Sequence, residues 1–371
     1  MATVGTAGVP SQNTVNYDAL LSSTLDAYVG SGSFSDNIFK DSAYLAALRL
    51  KDAIQMQNGG ERIRAPLMYG TNSTVQSYDG YETLDTTPQD GMTTAFFEWR
   101  EIAGTISISR KEERQNSGEA QVIDLLNSKV RQTEMSIREE VNRMLVQGTV
   151  SGSTFVPGNN AKDLNPLGWF MRKLNATDPT AGGNVGNIAG ASNSWWRHVT
   201  AVADSGSVDT GNAFALNVST YKGFNVFLKR LYNHCSKGSG GSPNLFLFDQ
   251  VSYETYENSL DDKVRYLDTK MADQGFDAIR LRGATCIWDE VVPNLDVGNT
   301  DQPLTSGTVF ALNTNHYKLV IDSETDFVTT PFVTPENQTA KTAKVLFMAN
   351  TVCNNLRKLG VGYAISQTIA A

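Results

Sequence analysis

The sequence predicts an α+β chain, and three stretches carry that reading: apolar alternation toward Arg110, a helical repeat from Asn116 to Gly148, and alternating helix and strand patterns between about Thr200 and Asp322. Period two belongs to a half-buried strand and period 3.6 to an amphipathic helix, so both structure types are required in separate runs. With 371 residues, the chain is long enough for roughly two domains or one elaborated one.

The elements follow in order. Residues from Met1 to about Tyr17 carry no charged side chain and little apolar bulk, a composition that predicts an arm without a core of its own. Short helical pieces occupy Asp18 to Gln57. The clearest is "DSAYLAALRLKDAIQMQ", with Ala46, Leu50, Ala53 and Ile54 on one side and Asn58-Gly59-Gly60 as its stop. The period then changes. "ERIRAPLMYG" and "TTAFFEWREIAGTISISR", the latter alternating at Ile102, Ile106 and Ile108, predict a long two-stranded excursion whose tip holds Gly70, Gly80, Pro88 and Gly91. A lone hairpin is marginal in water, so this one needs a cover.

The helix from Asn116 to Gly148 opens on an N-x-x-E signal, Asn116 with Glu119, and stops at a glycine. Ile123, Leu126, Val130, Ile137, Val141 and Met144 form its apolar row, with Thr133 as the polar member, and the C-terminal sheet is its expected seat. Glu134 with Arg138 and Glu139 with Arg143 are spaced for i,i+4 pairs on the wetter sides. Beyond a loop-rich interval around Trp195-Trp196, "NVSTYKGFNVFLKRLYNHC" and "QVSYETYENSL" read as helices and "PNLFLFD" and "GATCIWDEVV" as strands. The close, "TVFALNTNHYKLVI" and "KTAKVLFMANTVCNNLRKLGVGYAI", is β-rich.

Lys and Arg number 31 against 39 Asp and Glu, a net charge of −8, so no general attraction to phosphate backbones or anionic membranes is expected. No signal peptide or membrane-length apolar run is found, which predicts a soluble, non-secreted protein with no membrane partner. Cys235, Cys286 and Cys353 are widely spaced and odd in number, against a disulfide framework or zinc site and in favour of a reducing, intracellular origin.

Chemistry leaves little trace. His198, His234 and His316 lack partner motifs, and GxSxG, HExxH and GxxxxGK[ST] are absent. "AGGNVGNIAG" lacks phosphate-loop spacing, and "DSETD" (Asp322 to Asp326) reads as a solvated acidic turn rather than a cation loop. An enzyme would have to draw on dispersed carboxylates such as Asp249, Asp262, Asp289 and Glu290. No catalytic residue, metal or cofactor is expected. The stronger signal is the aromatic set Tyr69, Tyr78, Tyr81, Phe96, Phe97 and Trp99, with Leu84 and with Asp79, Glu82, Asp85, Asp90 and Glu98 as the interleaved charges. Their uniform sign argues against nucleic acid; burial against a neighbouring chain accounts for both the aromatics and the exposed hairpin, with packing inside the chain as the alternative.

The order of parts, with "GGERIRAPLMYG", "YDGYETLD", "RKEERQNSGEAQVIDLLNSKV", "VSYETYENSL…RY…ADQGFDAIRLRGATCIWDEVVP" and "AKVLFMANTVCNNLRKLGVG", resembles the tailed-phage major capsid proteins of the Hong Kong 97-like fold along nearly the whole chain. The resemblance implies an arm with short helices (1–57), an extended loop over an adjacent subunit (58–115), and a peripheral domain (116–199) with a spine helix (116–148). An axial α/β domain (200–322) and return strands (323–371) complete it. It implies self-assembly into hexamers and pentamers of an icosahedral virion shell around double-stranded DNA, formed in the host bacterial cytoplasm. A portal and a separate scaffolding protein are implied partners, and a decoration protein is allowed. Tyr69, Tyr78, Tyr81, Leu84, Phe96, Trp99, Arg110, Arg114, Arg138 and Arg143 are the expected subunit-contact residues. No lysine lies between Asp52 and Arg110, so the Lys–Asn cross-link of the founding member is not expected. An encapsulin-like enzyme container is the alternative on the same fold, and a soluble enzyme the remaining one.

Overall fold

The computed structural model describes residues 42–115, 125–146, 148–151, 154–157, 162–171, 184–190, 192–203, 209–210, 213–260, 279–292, 306–336 and 339–366. The expectations for the N-terminal arm, the start signal at Asn116 and Glu119, the side chains of Ile123 and Leu126, and Asp262 lie outside these residues.

In chain order come α1 (Ala43–Leu50), β1 (Ile54–Gln57), β2 (Ile63–Met68), β3 (Met92–Phe97), β4 (Arg100–Ser109), α2 (Arg110–Gln115) and α3 (Leu125–Val146). Then follow β5 (Gly148–Ser151), β6 (Thr154–Pro157), α4 (Leu167–Phe170), β7 (Asn184–Val185), β8 (Ile188–Ala189), β9 (Val199–Val202), β10 (Asp209–Thr210) and β11 (Ala213–Ala215). The remainder holds α5 (Tyr221–Ser236), β12 (Leu245–Phe248), α6 (Gln250–Ser259), β13 (Ile279–Leu281), β14 (Ala284–Trp288), β15 (Ser306–Leu312), β16 (Tyr317–Asp322), β17 (Val328–Thr329), β18 (Ala340–Cys353) and β19 (Gly360–Ser366). The α+β class expected from the sequence is the one observed.

Two corrections concern the first hundred residues. The helix expected to reach Gln57 stops at Leu50. Ser42 caps its start, Oγ accepting from Leu45 N–H at 3.1 Å, and it buries Tyr44, Ala47 and Leu48 rather than the Ala46–Leu50 side. Asp52 then turns the chain at φ 52°, and Ile54–Gln57 becomes a strand in parallel register with Leu319–Asp322. Ladder pairing with a distant strand outweighs a modest local helix preference. The second correction is that "TTAFFEWREIAGTISISR" is two strands, broken at Glu98–Trp99, and only β3 belongs to the hairpin.

The chain divides into two compact units. The described part of the smaller comprises residues 103–115, 125–138, 327–336 and 339–346. Here β17 and β4 pair with β18, and Ile106 and Ile108 are buried as the alternation predicted. Ser109 and Glu112 form a capping box at the start of α2: Glu112 Oε2 accepts from Ser109 N–H at 2.9 Å and Ser109 Oγ accepts from Glu112 N–H at 3.2 Å. The apolar row of α3 meets β4 at Gly104, where an added Cβ would lie 2.5 Å from Thr133 Cγ2 and 3.0 Å from Ile137 Cδ1. β4 is itself paired with β18 of the C-terminal part of the chain.

The larger unit is built on an eight-stranded sheet in the order β10-β11-β9-β19-β15-β12-β14-β13. Phe224, Phe227, Leu228 and Leu231 of α5 and Tyr253 and Tyr256 of α6 share a core with Phe246 and Phe248 of β12. Both helices start on side-chain caps, Thr220 Oγ1 accepting from Gly223 N–H and Asp249 Oδ2 from Ser252 N–H. The fully buried run expected at "PNLFLFD" is β12, flanked in parallel by β14 and antiparallel by β15. In the same unit β16 lies between β1 and the second half of β18, and Val141, Met144, Leu145 and Val146 bury the end of α3. The described helix runs to Val146, and Gly148 opens β5.

Candidate assembly surfaces

The hairpin is an antiparallel pair from Ile63↔Phe97 to Met68↔Met92. Ile63, Ala65 and Leu67 face inward, and Arg64, Pro66 and Met68 outward. The required cover comes from its own unit, at the turn between β7 and β8. Gly186 O accepts from Phe96 N–H at 3.0 Å. At φ 61°, an added Cβ on Gly186 would stand 2.7 Å from Ala95 Cβ and 3.2 Å from Phe97 Cζ, so only glycine lets the two backbones come this close. Phe97 lies against Trp169 and Phe170, and Phe170 meets Tyr317 edge to face at 5.6 Å.

Three of the expected contact residues find partners at this base. Tyr69 stacks on Trp195, centroids 4.8 Å apart at 17°. Trp99 Nε1 donates to Gly60 O at 2.9 Å, and the Arg64 guanidinium sits 5.9 Å from the Phe96 ring centre. The exit of β3 is fastened by Asn350, whose Nδ2 donates to Glu98 O at 2.5 Å while its Oδ1 accepts from Asn165 N–H at 3.1 Å. Nothing local in the sequence marks Trp195, Gly186 or Asn350 for these tasks.

Past the links from Tyr69 N–H and Gly70 N–H to Gly91 O, at 2.9 and 3.3 Å, the tip is shaped by a backbone turn from Glu82 N–H to Asp79 O at 2.8 Å and by short side-chain turns. Asn72 Oδ1 accepts from Thr74 N–H at 2.9 Å and Asp85 Oδ1 from Thr87 N–H at 2.9 Å. These bonds from Thr87 draw the Asp85 carboxyl below its ordinary pKa. Val75, Tyr78, Tyr81 and Leu84 all project outward, Tyr78 64% exposed and Val75 81%. Each of Tyr78, Tyr81 and Leu84 is followed directly by an acid, Asp79, Glu82 and Asp85. The tip presents apolar–acidic couples to solvent. A large side chain left in water beside charge of one sign points to a partner rather than a core.

The expected arginines differ among themselves. Arg110 and Arg114 are exposed on α2, whose Glu112 pairs with Lys129 at 3.4 Å and Glu113 with Lys341 at 2.6 Å. The Arg138 guanidinium lies 5.5 Å from the Phe327 ring centre. Arg143 pairs not with Glu139 but with Glu140, Nε to Oε2 at 2.8 Å and Nη2 to Oε1, the i,i+3 neighbour lying closer than the i,i+4 one expected. That bond lowers the Glu140 carboxyl pKa.

Of the carboxylates named for an enzyme, Asp249 and Asp289 both accept hydrogen bonds within the fold. Asp249 caps α6 and also accepts from Thr308 N–H at 3.0 Å. Asp289 is buried and accepts from Val291 N–H at 3.1 Å and from Asn142 Nδ2. Asp322, expected in a solvated turn, is buried instead. Its Oδ1 accepts from Gly59 N–H at 3.0 Å and its Oδ2 from Thr325 Oγ1 at 2.7 Å, which hold its carboxyl below the ordinary range. The three thiols are buried, and burial pushes Cys235 and Cys353 up to about 12. His198 lies 3.1 Å from Thr200 Oγ1, and His316 bridges Asn354 Oδ1 and Gly240 O. No group of three or more His, Cys, Asp or Glu able to hold a metal occurs among the described residues. Among the same residues, no helix is long and apolar enough to cross a membrane.

No family model matches the sequence, and no curated protein matches it. Solved structures do. The capsid of cyanophage A-1(L) aligns with a TM-score of 0.57 at 14% identity, over 91% of this chain and 97% of that one. The capsid of a native GTA particle aligns with a TM-score of 0.55 at 10% identity, over 95% and 100%. The SrpI encapsulin of Synechococcus elongatus aligns with a TM-score of 0.53 at 10% identity, over 96% and 99%. Along nearly its whole length, the chain has the fold of these capsid and encapsulin proteins, the Hong Kong 97-like fold that its sequence resembles.

Proposed function

We propose that the chain is a shell subunit, the major capsid protein of a tailed phage. Many copies would assemble as hexamers and pentamers into an icosahedral head around double-stranded DNA. The observation that carries this is the hairpin: its base is fastened inside the subunit, while Tyr78, Tyr81 and Leu84 at its tip stand in water beside acids. Such a projection has no use in a monomer and a direct one in a shell, where a neighbour supplies the missing contacts. The reading assigns residues 58–115 to the reaching loop, 116–199 and 323–371 to a peripheral domain, 200–322 to an axial domain and 1–57 to an arm. It includes a portal and a separate scaffolding protein as partners, allows a decoration protein, and gives the chain no enzymatic role.

Fold likeness to an encapsulin over 96% of the chain supports a second reading, a protein container. Electron microscopy of particles formed by the full chain separates the two. Shells holding nucleic acid support the capsid, shells holding protein cargo support the container, and monomers or small oligomers under all salt and scaffold conditions contradict both.

A further inference from the structure

The buried face of α5 is Phe224, Phe227, Leu228, Leu231 and Cys235, and the opposite face has a sharp chemical identity. Lys222, Val226, Lys229, Asn233 and the capping Lys237 are all exposed. They fall at i, i+4, i+7, i+11 and i+15, one line along a helix. No Asp or Glu occurs between Asp209 and Asp249, although acids outnumber bases in the chain as a whole. Arg282 reinforces the line by bonding Asn233 Oδ1 through Nη1 and lying 5.8 Å from the Tyr232 ring centre. Among the described residues, no carboxylate pairs with Lys222 or Lys229. The bases of α2, by contrast, are interleaved with Glu112 and Glu113.

The hairpin tip is its complement. It has no Lys or Arg between Arg64 and Arg100, and it alternates apolar and acidic groups, Tyr78-Asp79, Tyr81-Glu82 and Leu84-Asp85. We propose that the hairpin tip of a second copy of this chain docks on the exposed row of α5. Val226, 49% exposed, meets the tip's apolar side chains, and Lys222 and Lys229 face its carboxylates. The two lysines stand about 10 Å apart along the helix axis, leaving the valine between them as the apolar centre inside a charged rim. Strongly hydrated lysines suit such a rim, where charge guides encounter and fixes register. A phosphodiester backbone would use the lysines but has nothing to offer Val226, so the protein partner fits better. This inference rests on the shell reading.

The test mixes two full-length single variants, Tyr81→Cys and Lys229→Cys, assembles them and oxidises them mildly. The native thiols are buried and do not compete. The expected result is a covalent dimer formed only in the assembled mixture, and none when Lys111→Cys on α2 replaces Lys229→Cys. Shells that form without the covalent dimer overturn the docking and leave the shell reading intact; a wild-type chain that never forms shells overturns both. Charge exchange provides a second readout should either cysteine variant fail to fold. Lys222→Glu with Lys229→Glu, or Asp79→Lys with Glu82→Lys, should each raise the concentration needed for assembly about tenfold at low salt, and the four together should restore it. Additive loss contradicts the docking. So do α5 variants that assemble normally but hold less nucleic acid, a result that assigns the row to a polyanion.

Discussion

Gly186 shows how much a single position decides. Its left-handed φ and its contact with Ala95 bring the β7–β8 turn onto the hairpin. Gly186→Ala should therefore cost about 1–3 kcal/mol from backbone strain and overpacking together. Its urea midpoint should fall below wild type, and an unchanged midpoint would mean that the turn does not seat the hairpin. Asp322 makes a different prediction. Its folded pKa is depressed by the Gly59 and Thr325 hydrogen bonds, so its contribution is complete above the unfolded value of about 3.9 and is lost as pH falls through the folded one. Thermal midpoints across pH should show a steeper acid-side decline in wild type than in Asp322→Asn; parallel curves would rule out this linkage. Neither role could be read locally, because Gly59 and Asp322, like Gly186 and Ala95, are joined only by the fold.

At the scale of elements, legibility follows the range of the forces. The alternation through Ile106 and Ile108, the apolar run Leu245–Phe248 and the helical repeat in "NVSTYKGFNVFLKRLYNHC" are short-range signals, and each element stands where its pattern places it. The misread segment, Ile54–Gln57, has helical spacing but a parallel partner at Leu319–Asp322, and such pairing leaves no local mark. The hairpin shows the same division. Its first strand is legible, while the break at Glu98–Trp99 and the supports at Trp195 and Asn350 are not. Since the base is held by those supports and the tip by its own turns, deleting about Thr71 to Gly91 should leave a folded subunit, by circular dichroism, that no longer forms stable shells. Unfolding on deletion would mean that the tip packs at home. On α3, Arg138→Ala should disturb assembly more than subunit stability, because the group is exposed and an exposed cation–ring contact contributes only about 0.5–1 kcal/mol. Equal effects on both would contradict an assembly role.

For the whole molecule, the contrast is between polar groups used inside the subunit and apolar ones left in water. Asp249, Asp289 and Asp322 serve as caps and turn fasteners and the thiols are buried, while among the described residues Val75, Tyr78, Tyr81 and Leu84 of the hairpin tip are exposed. A chain that assembles as proposed draws part of its stability from its neighbours, so its melting point should rise with concentration across the onset of assembly. On the shell reading, the hairpin tip carries the dependence on a neighbour. The most direct measurement is electron microscopy of the purified full chain beside the chain lacking residues 71–91, over a series of salt and scaffold conditions. Closed shells from the full chain and only unassembled, folded subunits from the deletion are expected; small oligomers from the full chain throughout, or intact shells from the deletion, would contradict the assembly role of the hairpin.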